Sequence, residues 1–431
     1  MNLNHLLALD ENKTVILSDE KTISWQQLKQ KIISTQQILL KQKANNCALY
    51  SYDCEEFIAT FLACVFLGID ILLPPNNSPE MVLSLQADIL IGGFETKQDR
   101  PYKKIALINN KIDSNISIFT SGSTGKPKKI TRKLSQLLLE VEELNTIWQK
   151  QLKAQVFAST VSYQHIYGLL FSILLPLKNK IAMWHKPLPF EESLEKLQQK
   201  YSQTVLVSSP AFLKRLSIKL TNKYKLVVFC SGGVLTPQQH QKAEKQLNSS
   251  LFQVYGSSET GGIAYKTEKS FWNFFPSVKY KIVKNSLLIQ SPFCYKTQWH
   301  DTHDSIKIHN NGFELCGRND RIVKIEEKRV SLIEIEQATN SHDLIEESYA
   351  LSINGKRQYI ALIVVLSKQG KQQLQTSSEK ELKMQIKTYL RTKIEPLAIP
   401  KQIRFFYEIP TNSQGKKIHQ QLVGLFINPA I

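Results

Sequence analysis

Apolar and polar positions along the chain follow two periods, and the points where one gives way to the other mark out most of its elements. Ser24-Trp25-Gln26-Gln27 is a capping-box pattern that opens a helix running towards Leu40. Ala48 to Ser51 has the short apolar pattern of a strand, Glu55 to Leu67 that of a helix closed by Gly68, and Asp70 to Leu73 and Asp88 to Ile91 those of strands stopped by Pro74-Pro75 and Gly92-Gly93. Similar units follow: a strand at Val156 to Thr160, a helix through Leu169, strands at Ile181 to Trp184 and Val205 to Ser208, a helix from Pro210, and a strand at Leu226 to Cys230 before Gly232-Gly233. Alternation of this kind predicts an α/β fold whose sheets are covered by helices.

After Gly312 the pattern changes. Phe313 to Arg318 reads as a strand and turn, Leu332 to Thr339 as a helix, Tyr349 to Ile353 and Tyr359 to Leu366 as a hairpin around Asn354-Gly355, and Ser378 to Lys393 as a long helix. A boundary near Arg318 to Asp320 separates a large N-terminal core of βαβ-type units, residues 1–317, from a small α+β domain, residues 318–431.

Composition narrows the class. The 431 residues are 42% hydrophobic and 21% charged, enough for an ordinary core and too many for one domain of typical size. The longest apolar run, Ile166 to Leu177, contains Gly168 and Pro176 and falls well short of the roughly 20 residues of a membrane span. Met1 to Lys13 carries Asn2, Asn4, His5, Asp10 and Glu11 where a secretory segment needs an apolar stretch, so the cytoplasm is the expected location. Six cysteines without a C-x-x-C pair indicate neither a structural zinc site nor a disulfide framework. The net charge of +18 is spread: residues 318–431 hold 18 Lys and Arg against 12 Asp and Glu. Such a surface is either simply solvated or made for an acidic partner; with no aromatic-basic stacking motif, a nucleic-acid ligand is not expected.

The most informative stretch is Ile118-Phe119-Thr120-Ser121-Gly122-Ser123-Thr124-Gly125-Lys126-Pro127-Lys128-Lys129. Hydroxyls, bare backbone N–H groups and ammonium groups after an apolar strand suit a polyphosphate. A Walker A loop is excluded, because Gly122 and Gly125 are too close together and Pro127 stands where Ser or Thr would bind Mg²⁺. His300-Asp301-Thr302-His303-Asp304 has no third ligand at a spacing that suits a metal.

With three further segments in the same order, this loop resembles that of the adenylate-forming enzymes: acyl-CoA synthetases, peptide-synthetase adenylation domains and luciferases. Val254-Tyr255-Gly256-Ser257-Ser258-Glu259-Thr260 is similar to the family's Y-G-x-[ST]-E segment, Gly317-Arg318-Asn319-Asp320 to its G-R-x-D, and Pro410 to Lys416 to its P-x-x-x-x-G-K. The resemblance covers residues 20 to 420 and implies ATP and Mg²⁺ as cofactors, a small carboxylic acid as substrate, and a mobile C-terminal domain. It implies that Thr120, Ser121, Gly122, Ser123, Thr124, Gly125 and Lys128 hold the β- and γ-phosphates, that Glu259 binds Mg²⁺ and that Ser258 meets the α-phosphate. Gly232, Gly233, Tyr255 and Gly256 would line the adenine, Asp304 and Arg318 would meet the ribose, and Asp320 would be the hinge. Lys416 would neutralise the charge that builds on the α-phosphoryl oxygens, and His165, in Ser162 to Gly168, would lie beside the acyl pocket with a candidate catalytic role.

Peptide-synthetase adenylation domains carry an Asp shortly after the position of His165 to pair with the substrate's α-amino group, and its absence here argues against an amino-acid substrate. Glu326-Glu327, where many members carry Gly at the second position, argues against the usual entry of CoA or pantetheine. Small size, the run Val323 to Leu332 and the basic surface resemble the stand-alone AMP-ligases that load aromatic acids onto acyl carrier proteins for aryl polyene or xanthomonadin-type pigments. An acidic carrier would be attracted by a basic protein, and Lys371, Lys383, Lys387 and Arg391 are candidate contacts. A CoA ligase and an inactive nucleotide-binding module are the alternatives.

Overall fold

A computed structural model describes residues 3–94, 107–109, 112–120, 128–220, 226–233, 235–267, 271–296, 298–325, 328–354, 358–411, 417 and 419–427. Two mainly parallel sheets form the large core. The nine-stranded sheet contains, as parallel neighbours, strands Val156–Ser159, Thr204–Ser208, Leu226–Cys230 and Ser249–Ser257. The last of these turns back into the antiparallel strand Gly261–Lys266. In the five-stranded sheet, Asn115–Thr120 lies parallel to Asp70–Leu73 and antiparallel to Lys128–Lys133.

The predicted elements form where the punctuation placed them. Helix Trp25–Lys41 starts from the Ser24 capping box, with both reciprocal bonds present, and helix Cys54–Leu67 ends at Gly68 in the left-handed conformation. Twelve residues of the latter helix are buried, so it runs through the core rather than along its surface. The apolar run after His165 differs from expectation. Its helix does not stop at Leu169 but continues through a π-helical segment, Leu169–Leu174, into Leu175–Asn179. Gly168 is there for close approach rather than termination, since a Cβ would collide with the Ser162 carbonyl. Pro176 stands just after the π-helical segment, inside the continuous helical run rather than at its end.

The small C-terminal domain is built on strands Ile345–Ile353, Tyr359–Leu366 and Gln402–Phe406, covered by helices Leu332–Asn340 and Glu379–Arg391. Among the described residues, no buried apolar cluster mixes positions before 316 with positions after 322. No helix of the described residues is long and apolar enough to cross a membrane. Five of the six cysteines are buried and Cys316 is exposed; all are free thiols.

Helix Leu134–Trp148 joins the two sheets of the core. Its last residue, Trp148, is 1% exposed and meets five aromatic rings: Phe229 at 4.7 Å, Tyr265 at 5.4 Å, Phe171 at 5.9 Å, and Phe252 and Phe275 at 6.0 Å. Trp148→Ala should cost about 3–5 kcal/mol, measured as a fall in unfolding free energy by urea denaturation; a loss below about 1 kcal/mol would show that the seam closes without it.

Candidate active site

Parallel strands leave their connections at their C-terminal edges, where α/β sheets bind ligands. Four neighbouring strands of the large sheet end here at Ser159, Ser208, Cys230 and Ser257. Directly after them come, in order, the His165 segment, Ser209-Pro210, Gly232-Gly233 and the Ser258-Glu259 turn. Elements 100 residues apart in sequence thus open onto one edge. The second sheet contributes Thr120 and Lys128, which end one strand and begin the next and face each other in register. Ser121, Gly122, Ser123, Thr124 and Gly125, between them, lie outside the described residues, as does Lys416.

The two sheets meet at one contact. Lys128 Nζ lies 2.9 Å from Glu259 Oε1, with the lysine half exposed and the glutamate mostly covered. Burial raises the Glu259 carboxyl, but the hydrogen bond and charge of Lys128 outweigh it and hold the group below its ordinary range. The same hydrogen bond raises the Lys128 ammonium. Glu259 stands on a tight turn closed by two reciprocal bonds, Ser257 N–H to Thr260 Oγ1 at 3.0 Å and Thr260 N–H to Ser257 Oγ at 3.2 Å. Its carbonyl accepts from Tyr295 N–H at 2.9 Å. His300 is near enough for the charges of Glu259 and Lys128 to act on it, while burial lowers its pKa. Among the described residues no group of three or more His, Cys, Asp or Glu gathers as a metal cage. A single carboxylate beside an ammonium group fits a Mg²⁺ ion brought in with a polyphosphate, since Mg²⁺ keeps much of its shell as water and phosphate oxygen.

A second polar group stands behind the turn. The Tyr255 phenol donates a short hydrogen bond to Asp304 Oδ2, and Asp304 N–H donates to Thr302 Oγ1 at 3.1 Å. Burial, followed by the charge of Asp304, pushes the phenol far above its ordinary pKa, so it remains a donor. Asp304 and Arg318 are register partners on strands Asp304–His309 and Gly312–Arg318, with Nη1 3.7 Å from Oδ1. Two acceptor oxygens beside a guanidinium form a donor-acceptor set that fits a diol such as a ribose. Gly232 and Gly233 are exposed at the same edge, Pro210 packing beside Gly233, and Gly256 lies in the irregular register of the hairpin. His165 is half buried just before the Ile166–Gly168 turn. Ser258 is half buried next to Glu259.

Asp320 lies between two tethers. Asn319 belongs to the core through N–H to His303 O at 2.6 Å and Nδ2 to Asn285 O at 3.0 Å. Arg321 belongs to the small domain: it pairs closely with Glu336, donates to Ala350 O at 3.0 Å and lies 4.2 Å over the Tyr349 ring. The two domains also touch beside the site. Glu347 of the small domain takes Lys417 Nζ at 2.9 Å and Lys214 Nζ at 3.5 Å, the latter at the end of helix Pro210–Lys214. Sequence reasoning missed Arg321, Glu336, Glu347 and the buried pair Arg132–Glu140. Only Glu140 left a trace, a charge three residues after Leu137 on the apolar side of a helix.

Residues 79–291 match the family described as AMP-binding enzyme, and residues 334–416 that described as AMP-binding enzyme C-terminal domain. The chain belongs to the AMP-binding enzymes. Malonate–CoA ligase of Arabidopsis thaliana is 21% identical over 72% of the chain and 60% of its own length, so the chain spans less than two thirds of that curated relative. D-alanine–D-alanyl carrier protein ligase of Staphylococcus aureus is 23% identical over 82% of the chain and 79% of its own length. ATP-bound MatB from Rhodopseudomonas palustris shares the fold at TM-score 0.80, with 17% identity over 100% of this chain and 99% of that one.

The depressed Glu259 pKa has a consequence for stability. Its ion pair stabilises the fold above the unfolded pKa of about 4.3 and is lost as pH falls through the lower folded value. With Lys128 half exposed, the contribution is about 0.2–1 kcal/mol. The difference in urea-unfolding free energy between the parent and Glu259→Gln should therefore be present at pH 6 and shrink below about pH 4; a difference independent of pH would assign it to something other than this pair.

Proposed function

We propose that this AMP-binding enzyme activates a small carboxylic acid with ATP and Mg²⁺ and passes the acyl group to a thiol. In the first step a carboxylate oxygen attacks the α-phosphorus of ATP, the bond to the bridging oxygen breaks, and pyrophosphate leaves with an acyl-AMP formed. In the second, a thiolate attacks the acyl carbon and AMP departs. The observation that carries the reading is the Lys128–Glu259 contact, which brings the strand after the phosphate loop to a carboxylate suited to Mg²⁺. Mg²⁺ would supply charge neutralisation at the phosphates, held by Glu259. Lys128 would bind the outer phosphates with Thr120, Ser121, Ser123 and Thr124; Tyr255, Gly232 and Gly233 would line the base, and Asp304 with Arg318 would receive the ribose.

The chain would divide between Arg318 and Asp320, with Asp320 as the pivot. The tethers of Asn319 and Arg321 to different domains support this, because a rotation between them has one residue to act through. Lys416 would be delivered to the α-phosphoryl oxygens when the small domain is docked. The position of Lys417, tied through Glu347 to Lys214 at the edge of the core, supports it.

An aromatic acid, hydroxybenzoate- or cinnamate-like, is the proposed substrate. In support, the small size, the run Val323 to Leu332 and the basic surface resemble the stand-alone ligases of aromatic acids. The acceptor would be the phosphopantetheine thiol of an acidic acyl carrier protein in the cytoplasm. The likeness to a carrier protein ligase and the charge of +18 support it, as do Lys380, Lys383 and Lys387 around the half-exposed Met384 on helix Glu379–Arg391. Free CoA is the second reading, favoured by the likeness to malonate–CoA ligase.

Pyrophosphate exchange with a panel of benzoic, cinnamic, fatty and amino acids tests the chemistry. One acid class should support exchange, and Lys416→Ala should lower it by roughly 10²–10³-fold, the loss of one donor to a developing oxyanion. Transfer from preformed acyl-AMP to the thiol should survive the substitution. Exchange at the parent rate in Lys416→Ala would overturn the assignment.

A further inference from the structure

Helix Leu134–Trp148 buries an apolar face that carries one charge, Glu140, with the half-buried Gln136 and Glu143 in line with it. Gln136, Glu140 and Glu143 stand four and three residues apart along one side of the helix. Gln136 Nε2 donates to Cys294 O at 2.7 Å, Glu140 Oε1 accepts from Gly262 N–H at 2.6 Å, and Glu143 Oε1 accepts from Ser277 N–H at 2.9 Å. All three partners belong to the chain that follows the Glu259 turn. The middle contact is the most buried: Glu140, 2% exposed, pairs at 2.9 Å with Arg132, which is 0% exposed.

A buried ion pair is a poor way to stabilise a core, since apolar residues of equal volume usually serve as well. This pair is poorer than most, because Arg132 Nε and Nη1 have no hydrogen-bond partner among the described residues. Its placement gives it another use. Arg132 is on the strand that begins with Lys128, and Gly262 is three residues after Glu259. Lys128, Arg132, Glu140, Gly262 and Glu259 therefore form a closed circuit, with the 2.9 Å contact between lysine and glutamate completing it. Glu140 also fills the space beneath the turn: Gly261 has φ +69°, and a Cβ there would lie 2.6 Å from Glu140 Oε2.

We propose that Arg132 and Glu140 are positioning residues for the metal-nucleotide site. Glu140, oriented by Arg132, holds the Gly261-Gly262 backbone and thereby keeps the Glu259 carboxylate beside Lys128, where a Mg²⁺-triphosphate would exchange their ion pair for a carboxylate–Mg²⁺ and an ammonium–phosphate contact. Neither residue touches the ligand, and the inference rests on the proposed roles of Glu259 and Lys128.

The test is the Mg²⁺ requirement of ATP binding, measured by calorimetry on the full chain without any acid present. Arg132→Leu/Glu140→Leu and Arg132→Leu/Glu140→Gln both remove the two charges, but only the glutamine leaves an acceptor for Gly262. The leucine pair should raise the Mg²⁺ concentration for half-maximal binding at least tenfold, and the glutamine should recover most of that loss. Glu140→Asp keeps the charge for Arg132 and withdraws the carboxylate from Gly262, so it should raise the requirement too, even if the leucine pair fails to fold. An unchanged requirement in Glu140→Asp, or equal shifts in two folded double variants, would overturn the positioning role. Pyrophosphate exchange with no acid would defeat the proposed reaction while leaving this binding measurement valid.

Discussion

The site depends on one constraint: two separate sheets must present the ends of their strands to each other at salt-bridge distance. Neither sheet alone brings both members of the Lys128–Glu259 pair. The Asn115–Thr120 and Lys128–Lys133 pair brings the lysine, and the Ser249–Ser257 and Gly261–Lys266 hairpin brings the glutamate, 131 residues further on. Between the sheets stands helix Leu134–Trp148, fixed at its end by the aromatic seam around Trp148 and along its length by the Gln136, Glu140 and Glu143 bonds. Apolar burial sets the helix in place, and directional bonds set its rotation.

Electrostatics completes the arrangement. Lys128 and Glu259 neutralise each other, and each holds the other in its charged form. These are the two forms that a magnesium-bound polyphosphate requires, an ammonium for the phosphate and a carboxylate for the metal. Binding would exchange one pair for two, so the site does not have to change protonation to become competent.

Sequence patterning made most of the fold legible because strands and helices here end at Gly, Pro and hydroxyl caps, as at Ser24, Gly68 and Gly232. Where it fell short, the same residue types lie inside an element instead of ending it. Gly168 and Pro176 lie inside one continuous buried helical run, and single-residue signals do not distinguish a stop from a tight contact. Of the site, the groups on turns after parallel strands were readable from motif spacing. The Tyr255–Asp304 bond, the Arg321 tether and the Arg132–Glu140 pair were not, since each joins residues whose nearness is decided by sheet register and helix rotation.

The contacts on either side of Asp320 support the proposed pivot at one residue over a diffuse linker. Asn319 is bonded into the core by two hydrogen bonds, and Arg321 into the small domain by an ion pair, a carbonyl and an aromatic face. A rotation distributed over several residues would have to break one of these sets, whereas dihedral change at Asp320 spares both. Among the described residues, the ties such a rotation would break are those that cross the interface, and Glu347 is suited to that. Its carboxylate lies between Lys214 of the core and Lys417 of its own domain, so it loses one partner on undocking and keeps the other. A buried charge left alone would resist that motion; a partly exposed one with a lysine in reserve does not.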